Sequence, residues 1–161
     1  MITGSTDPTN ITPQSITPRK IAIANGERVP PEKMCHLNAH DYDLVLDYIA
    51  RKLLARKDPD NHTKLEQCDC RNIGKDRLRL LRYMLENLKA PICEETIPYI
   101  YGDVASMTPN ALAKAVGDLR TALWDGPYIR TEKVWGESVS RTGSVYLLRD
   151  KYQYLVIRYE L

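Results

Sequence analysis

The side chains best suited to chemistry in this chain are its thiols and imidazoles, and they are unevenly spread. All three histidines, His36, His40 and His62, and three of the four cysteines, Cys35, Cys68 and Cys70, fall between positions 35 and 70. Cys and neutral His are the usual ligands of zinc, and a polar loop of this length could fold around one ion. The spacing gives that reading little support. Cys68-x-Cys70 is not the common two-residue spacing, and Cys35-His36 and His40 need not point together. A thiol-based redox switch is a second chemical reading. The plainest one is a set of unlinked thiols in a partly packed insert, with Cys93 filling core space. No metal or cofactor is therefore assigned. The sequence also contains no Gly-rich phosphate loop, nucleophile elbow or His-Glu-x-x-His motif. The expectation is a protein that is not an enzyme.

The elements around these residues follow from hydrophobic period. Residues 1–18 are rich in Thr, Pro and Ser and read as a tail without a core. Asn25-Gly26 between two short alternating runs predicts a β-hairpin over 21–30. Tyr42, Val45, Leu46, Ile49, Leu53 and Leu54 recur at helical spacing, which predicts a helix over 38–57 with Asn38 as its N-cap. The polar stretch 58–72 reads as a loop. A second helix is predicted over 76–88 and a short one over 94–101. A third runs over 108–124, started by Thr108-Pro109 and ended by Asp125-Gly126-Pro127. Period two then predicts strands over 128–135 and 144–149, joined by a loop at 136–143, and a last strand over 152–161. The fold class is α+β, divided as 1–18 (tail), 19–74 (hairpin, extra helix and Cys/His loop) and 75–161.

The order helix, short helix, helix, hairpin from residue 76 onward is that of a winged helix-turn-helix. A helix about 10–12 Å across fits the major groove, and a two-stranded tip reaches neighbouring phosphates. Charge is only mildly consistent with this role. Residues 1–70 carry 9 Lys/Arg against 10 Asp/Glu, a balance of −1; residues 71–149 carry 12 against 9, a balance of +3. Any binding to nucleic acid must rest on local placement of charge.

Three motifs carry a resemblance: Leu119-Arg120-Thr121-Ala122-Leu123, Tyr128-Ile129-Arg130-Thr131, and Gly143-Ser144-Val145-Tyr146-Leu147-Leu148. Together they resemble the winged-helix output domain of OmpR/PhoB-type response regulators, over roughly 75 residues, with Val116 in place of the family's Ile. The hairpin at 21–30 resembles the strands that precede that domain's first helix. There is no receiver domain, and the 38–57 helix, the longer wing and the final strand are additions. The resemblance implies a transcription regulator that binds double-stranded DNA. The outward face of helix 108–124 would meet base edges through Asn110, Lys114, Asp118, Arg120 and Thr121. The wing residues Arg130, Lys133, Arg141 and Thr142 would meet phosphates. The alternative is a winged helix used for protein–protein assembly.

The chain has ten Tyr and no Phe. Its last strand is apolar on both faces, through Tyr154 and Val156 on one and Leu155, Ile157 and Tyr159 on the other. Such a strand is central or covered, or else an edge that pairs with a homo-oligomer or protein partner. The 38–70 insert is the other expected contact. No run of about 18 apolar residues and no secretory signal is read, so no membrane contact and a cytoplasmic location are expected.

Overall fold

Asn25 and Gly26 both take left-handed backbone angles, φ 53° and 83°. That pair of angles matches the twist of the flanking strands. They close the hairpin between β1 (Arg19–Ala24) and β2 (Glu27–Arg28). The computed structural model describes residues 18–133 and 144–160, and the fold is mixed α+β.

The region expected to be a helix over 38–57 is instead a short turn of 3-10 helix at Ala39–Asp41 followed by two strands, β3 (Leu44–Asp47) and β4 (Lys52–Arg56). Leu44, Val45 and Leu46 are all buried. A strand covered on both faces reads as a continuous apolar run, and such a run mimics a helical stripe. The turn between the strands is tied locally. The Asp47 carboxylate accepts from the backbone N–H of Ile49 (3.1 Å) and Ala50 (3.0 Å), and Arg51 takes φ 55°. Asn38 does act as a cap, accepting from His40 N at 3.0 Å, but for the 3-10 turn alone. The stretch read as a loop over 58–72 also contains a strand, β5 (Leu65–Gln67).

These strands form one six-stranded sheet of order β2-β1-β8-β3-β4-β5, where β8 is Tyr154–Glu160. β8 runs antiparallel to β1 and parallel to β3. The final strand, expected to belong with 75–161, therefore completes the sheet of the preceding segment. It is central, so it offers no edge for a partner chain; β5 ends the sheet on one side. Asn25 guides β8 into place: its side chain accepts from Tyr154 N and donates to Gln153 Oε1, both at 2.8 Å.

One sheet face presents Ile21, Leu44, Leu46, Leu53, Tyr154 and Val156 to the helices. The other buries Ala22, Val45 and Leu155 beneath Met34, Leu37 and Tyr42 from the 31–42 segment. The helical layer consists of α1 (Lys75–Glu86), α2 (Ile97–Tyr101, entered through a 3-10 turn at Glu94–Thr96 and closed by Gly102) and α3 (Pro109–Ala122). Thr108 caps α3 by accepting from Ala111 N at 3.1 Å. Leu112, Ala115, Val116, Leu119, Ala122 and Leu123 all face inward, as their spacing predicts.

Two contacts fasten the layers. Glu86 at the end of α1 takes two bonds from the Arg158 guanidinium of β8, each 2.9 Å, and one from Arg82 at 3.0 Å. Tyr128, fully buried, accepts from Arg56 N at 3.1 Å and shares its hydroxyl proton between Asp43 O (3.0 Å) and Arg56 O (2.8 Å). Its ring stands edge-on to Tyr152 and Tyr154. No helix among the described residues is long and apolar enough to cross a membrane.

Candidate nucleic-acid interface

Ile92, between α1 and α2, pairs with Tyr146 through two backbone bonds of 2.8 and 2.9 Å. This makes it a third, one-residue strand beside the hairpin of β6 (Ile129–Lys133) and β7 (Ser144–Leu148). The chain order is thus helix, bridge, helix, helix, hairpin. The bridge locks the hairpin to the start of the helical layer, and Ile92 and Cys93 are both fully buried there. A single bridging residue has no period, so position 92 carries no strand signal in the sequence.

Asn110, Lys114 and Thr121 are exposed on α3. Four- and seven-residue steps put them on one face, with Ala113 and Gly117 between them. Asp118 is half-buried and already occupied: Arg77 of α1 reaches it at 3.3 Å and Lys114 at 3.7 Å. The Arg77 contact spans 41 residues and has no signature in the sequence. The pairing offsets the negative charge of this carboxylate.

Arg120 does not share the open face. Its guanidinium donates to Thr131 Oγ1 at 2.8 Å and to Ile129 O at 3.3 Å, and lies over the Tyr146 ring at 5.9 Å. It is a strut between α3 and the hairpin. On the hairpin, Arg130 pairs with Glu132 at 2.8 Å, and Lys133 donates to Ser144 Oγ at 2.7 Å. Both keep outward surface, as Thr131 does. Arg141 and Thr142 lie outside the described residues. The arrangement brings Asn110, Lys114 and Thr121 onto one exposed helix beside the partly exposed cations of a hairpin.

The Cys/His segment is dispersed. Cys35 is exposed, Cys70 half-buried and Cys68 buried at 3% exposure. No group of three or more His, Cys, Asp or Glu among the described residues is placed to hold a metal ion. Burial, then the charges of Cys70 and Glu66, push the Cys68 thiol up to about 12, so it stays protonated at neutral pH. Burial also raises Cys70 and Cys93.

Comparison of the chain with protein-family models, with curated proteins and with solved structures yields no match.

Proposed function

We propose that residues 75–148 form a winged helix resembling the OmpR/PhoB-type output domain, and that the protein binds double-stranded DNA as a transcription regulator. In this reading α3 lies in the major groove. Asn110 reads a base edge, Lys114 and Thr121 contact the backbone or a neighbouring base, and Arg130 and Lys133 of the hairpin meet phosphates. Arg120 and Asp118 act by positioning, the first holding the hairpin and the second holding α1 against α3. The reading assigns the chain no catalytic role and no cofactor.

The observation that carries it is the exposed Asn110–Lys114–Thr121 face of α3 beside a hairpin bearing two partly exposed cations. The bridge at Ile92 supports it, because it fixes the hairpin relative to the helices and so preorganises the surface a duplex would meet.

The test is fluorescence anisotropy with a random-sequence duplex at two or more salt concentrations. Each phosphate neutralised adds about 0.9 to the log–log slope. Lys114, Arg130 and Lys133 together predict a slope of about −3. Lys114→Ala should weaken binding to all sequences and flatten the slope by about 1. Absence of any anisotropy change at low salt would sink the proposal.

A further inference from the structure

We propose that the side of α1 turned away from α3 is a binding track for single-stranded nucleic acid, distinct from the duplex surface. Lys75, Arg79 and Arg82 recur at four and three residues, so they form one row along the helix. Two cavities adjoin the row. One, of about 300 Å³, is lined by Arg51 and Lys75 over an apolar floor of Ile73 and Leu78. The other, of about 320 Å³, is lined by Arg79, Arg82, Tyr83 and Tyr99. Tyr48 borders both.

The charge in this groove is unbalanced. Among the described residues, Arg51, Lys75 and Arg79 have no carboxylate within 4.0 Å. The carboxylate in the groove, Glu86, is already held by both Arg82 and Arg158. Asp76 lines a separate cavity with Arg77 and Asp118, which Lys75 also reaches. Arg77 is two residues from Lys75 and from Arg79, roughly 200° around the helix. It therefore marks the α3 side, and the row occupies the other.

Aromatic groups accompany the cations. Tyr99 is 79% exposed. Arg82 lies over the Tyr48 ring at 5.1 Å, and Arg79 over the Tyr101 ring at 5.7 Å. Guanidinium groups over ring faces, next to the exposed Tyr99, set aromatic surface beside positive charge. A cationic groove with stacking platforms is how single strands are held without base readout: phosphates meet the cations and unstacked bases meet the rings. Bases in a duplex are already stacked and would leave Tyr99 unused. An acidic peptide would use the cations but not the ring.

The test uses the full chain, a labelled oligothymidylate of about ten nucleotides, and anisotropy. Arg79→Gln and Tyr99→Ala change exposed side chains, so the thermal midpoint should hold. Each should weaken oligothymidylate binding at least about fivefold, because stacking and charge both contribute. Lys114→Ala should leave it unchanged. Duplex binding should show the reverse pattern, falling with Lys114→Ala and insensitive to Tyr99→Ala. The inference is overturned if the oligothymidylate does not bind at low salt, if Tyr99→Ala has no effect, or if a polyglutamate of matched charge competes equally well. It is also overturned if Arg79→Gln lowers duplex affinity alone. Failure of the α3 reading would look different: oligothymidylate binding intact and duplex binding absent.

Discussion

Arg120→Ala should loosen the joint between α3 and the hairpin and leave base preference unchanged. The guanidinium makes one short bond to Thr131 Oγ1 (2.8 Å), one long bond to Ile129 O (3.3 Å) and a face-on contact with Tyr146 (5.9 Å). A hydrogen bond to a charged group is worth roughly 1.5–3 kcal/mol when buried. Arg120 is only half-buried, so the short bond is set at about 1 kcal/mol and the long one near zero. The ring contact contributes about 0.5 kcal/mol at an exposed site. The expected loss is therefore about 1.5 kcal/mol, or a fall in Tm of about 3–6 °C for a chain of this size. Urea unfolding followed by circular dichroism measures it, with the m-value unchanged. A double-mutant cycle with Thr131→Val isolates the shared bond and should give a coupling of about 0.5–1 kcal/mol. On the proposed duplex-binding role, affinity should fall for all sequences alike, because a hairpin that wanders would lose its phosphate contacts. Additivity of the two mutations to within about 0.3 kcal/mol would refute the strut. So would a changed base preference with full stability, since that is how a base-reading arginine behaves.

Two further outcomes follow from buried groups. Tyr128→Phe should cost only about 1 kcal/mol, because Arg56 N keeps a second acceptor in Asp43 O at 3.0 Å. Tyr128→Ala should cost at least about 3 kcal/mol by leaving a cavity between sheet and helices; denaturant titration of both variants checks the order and the gap. In native protein at pH 8, an aromatic disulfide reagent should label Cys35 quickly and Cys68 only on unfolding. The Cys68 thiol is both buried and protonated up to about pH 12. Peptide mapping by mass spectrometry reads this out, and equal labelling of the two would contradict the burial of β5's neighbour.

What was legible in the sequence is what local chemistry decides. Thr108-Pro109 marks the start of α3, Asn25-Gly26 marks the hairpin, and the inward stripe of α3 is the one its spacing predicts. The segment 38–57 failed for a definite reason. Its apolar residues serve both faces of a sheet, and three consecutive buried positions erase the alternation that would announce a strand. The two-faced pattern of 154–157 was readable as central or covered, but its neighbours were not, since a parallel partner 110 residues upstream leaves no local trace. The candidate site divides in the same way. Exposure of Asn110, Lys114 and Thr121 follows from helical period. The capture of Arg120 by Thr131 and of Asp118 by Arg77 depends on tertiary neighbours. The row of cations on α1 follows from steps of four and three along one helix, but Tyr48 and Tyr99 beside it come from other elements and leave no local signal.

The place of β8 in the sheet also sets a timetable for synthesis. Among the described residues β1 and β3 are joined in the sheet only through β8, and the Arg19–Glu160 contact links positions 141 residues apart. Between emergence of β5 and of β8 the ribosome adds some ninety residues, roughly 5–20 s at ordinary elongation rates. Throughout that interval the hairpin of β1 and β2 and the ribbon of β3, β4 and β5 each present an unsatisfied inner edge with apolar side chains on both faces. A nascent chain in that state is a template for pairing with its neighbours on the same message. Slower translation across 75–153 should therefore lower the yield of folded protein, whereas slowing across residues 1–18, before any strand of the sheet is made, should have no such effect.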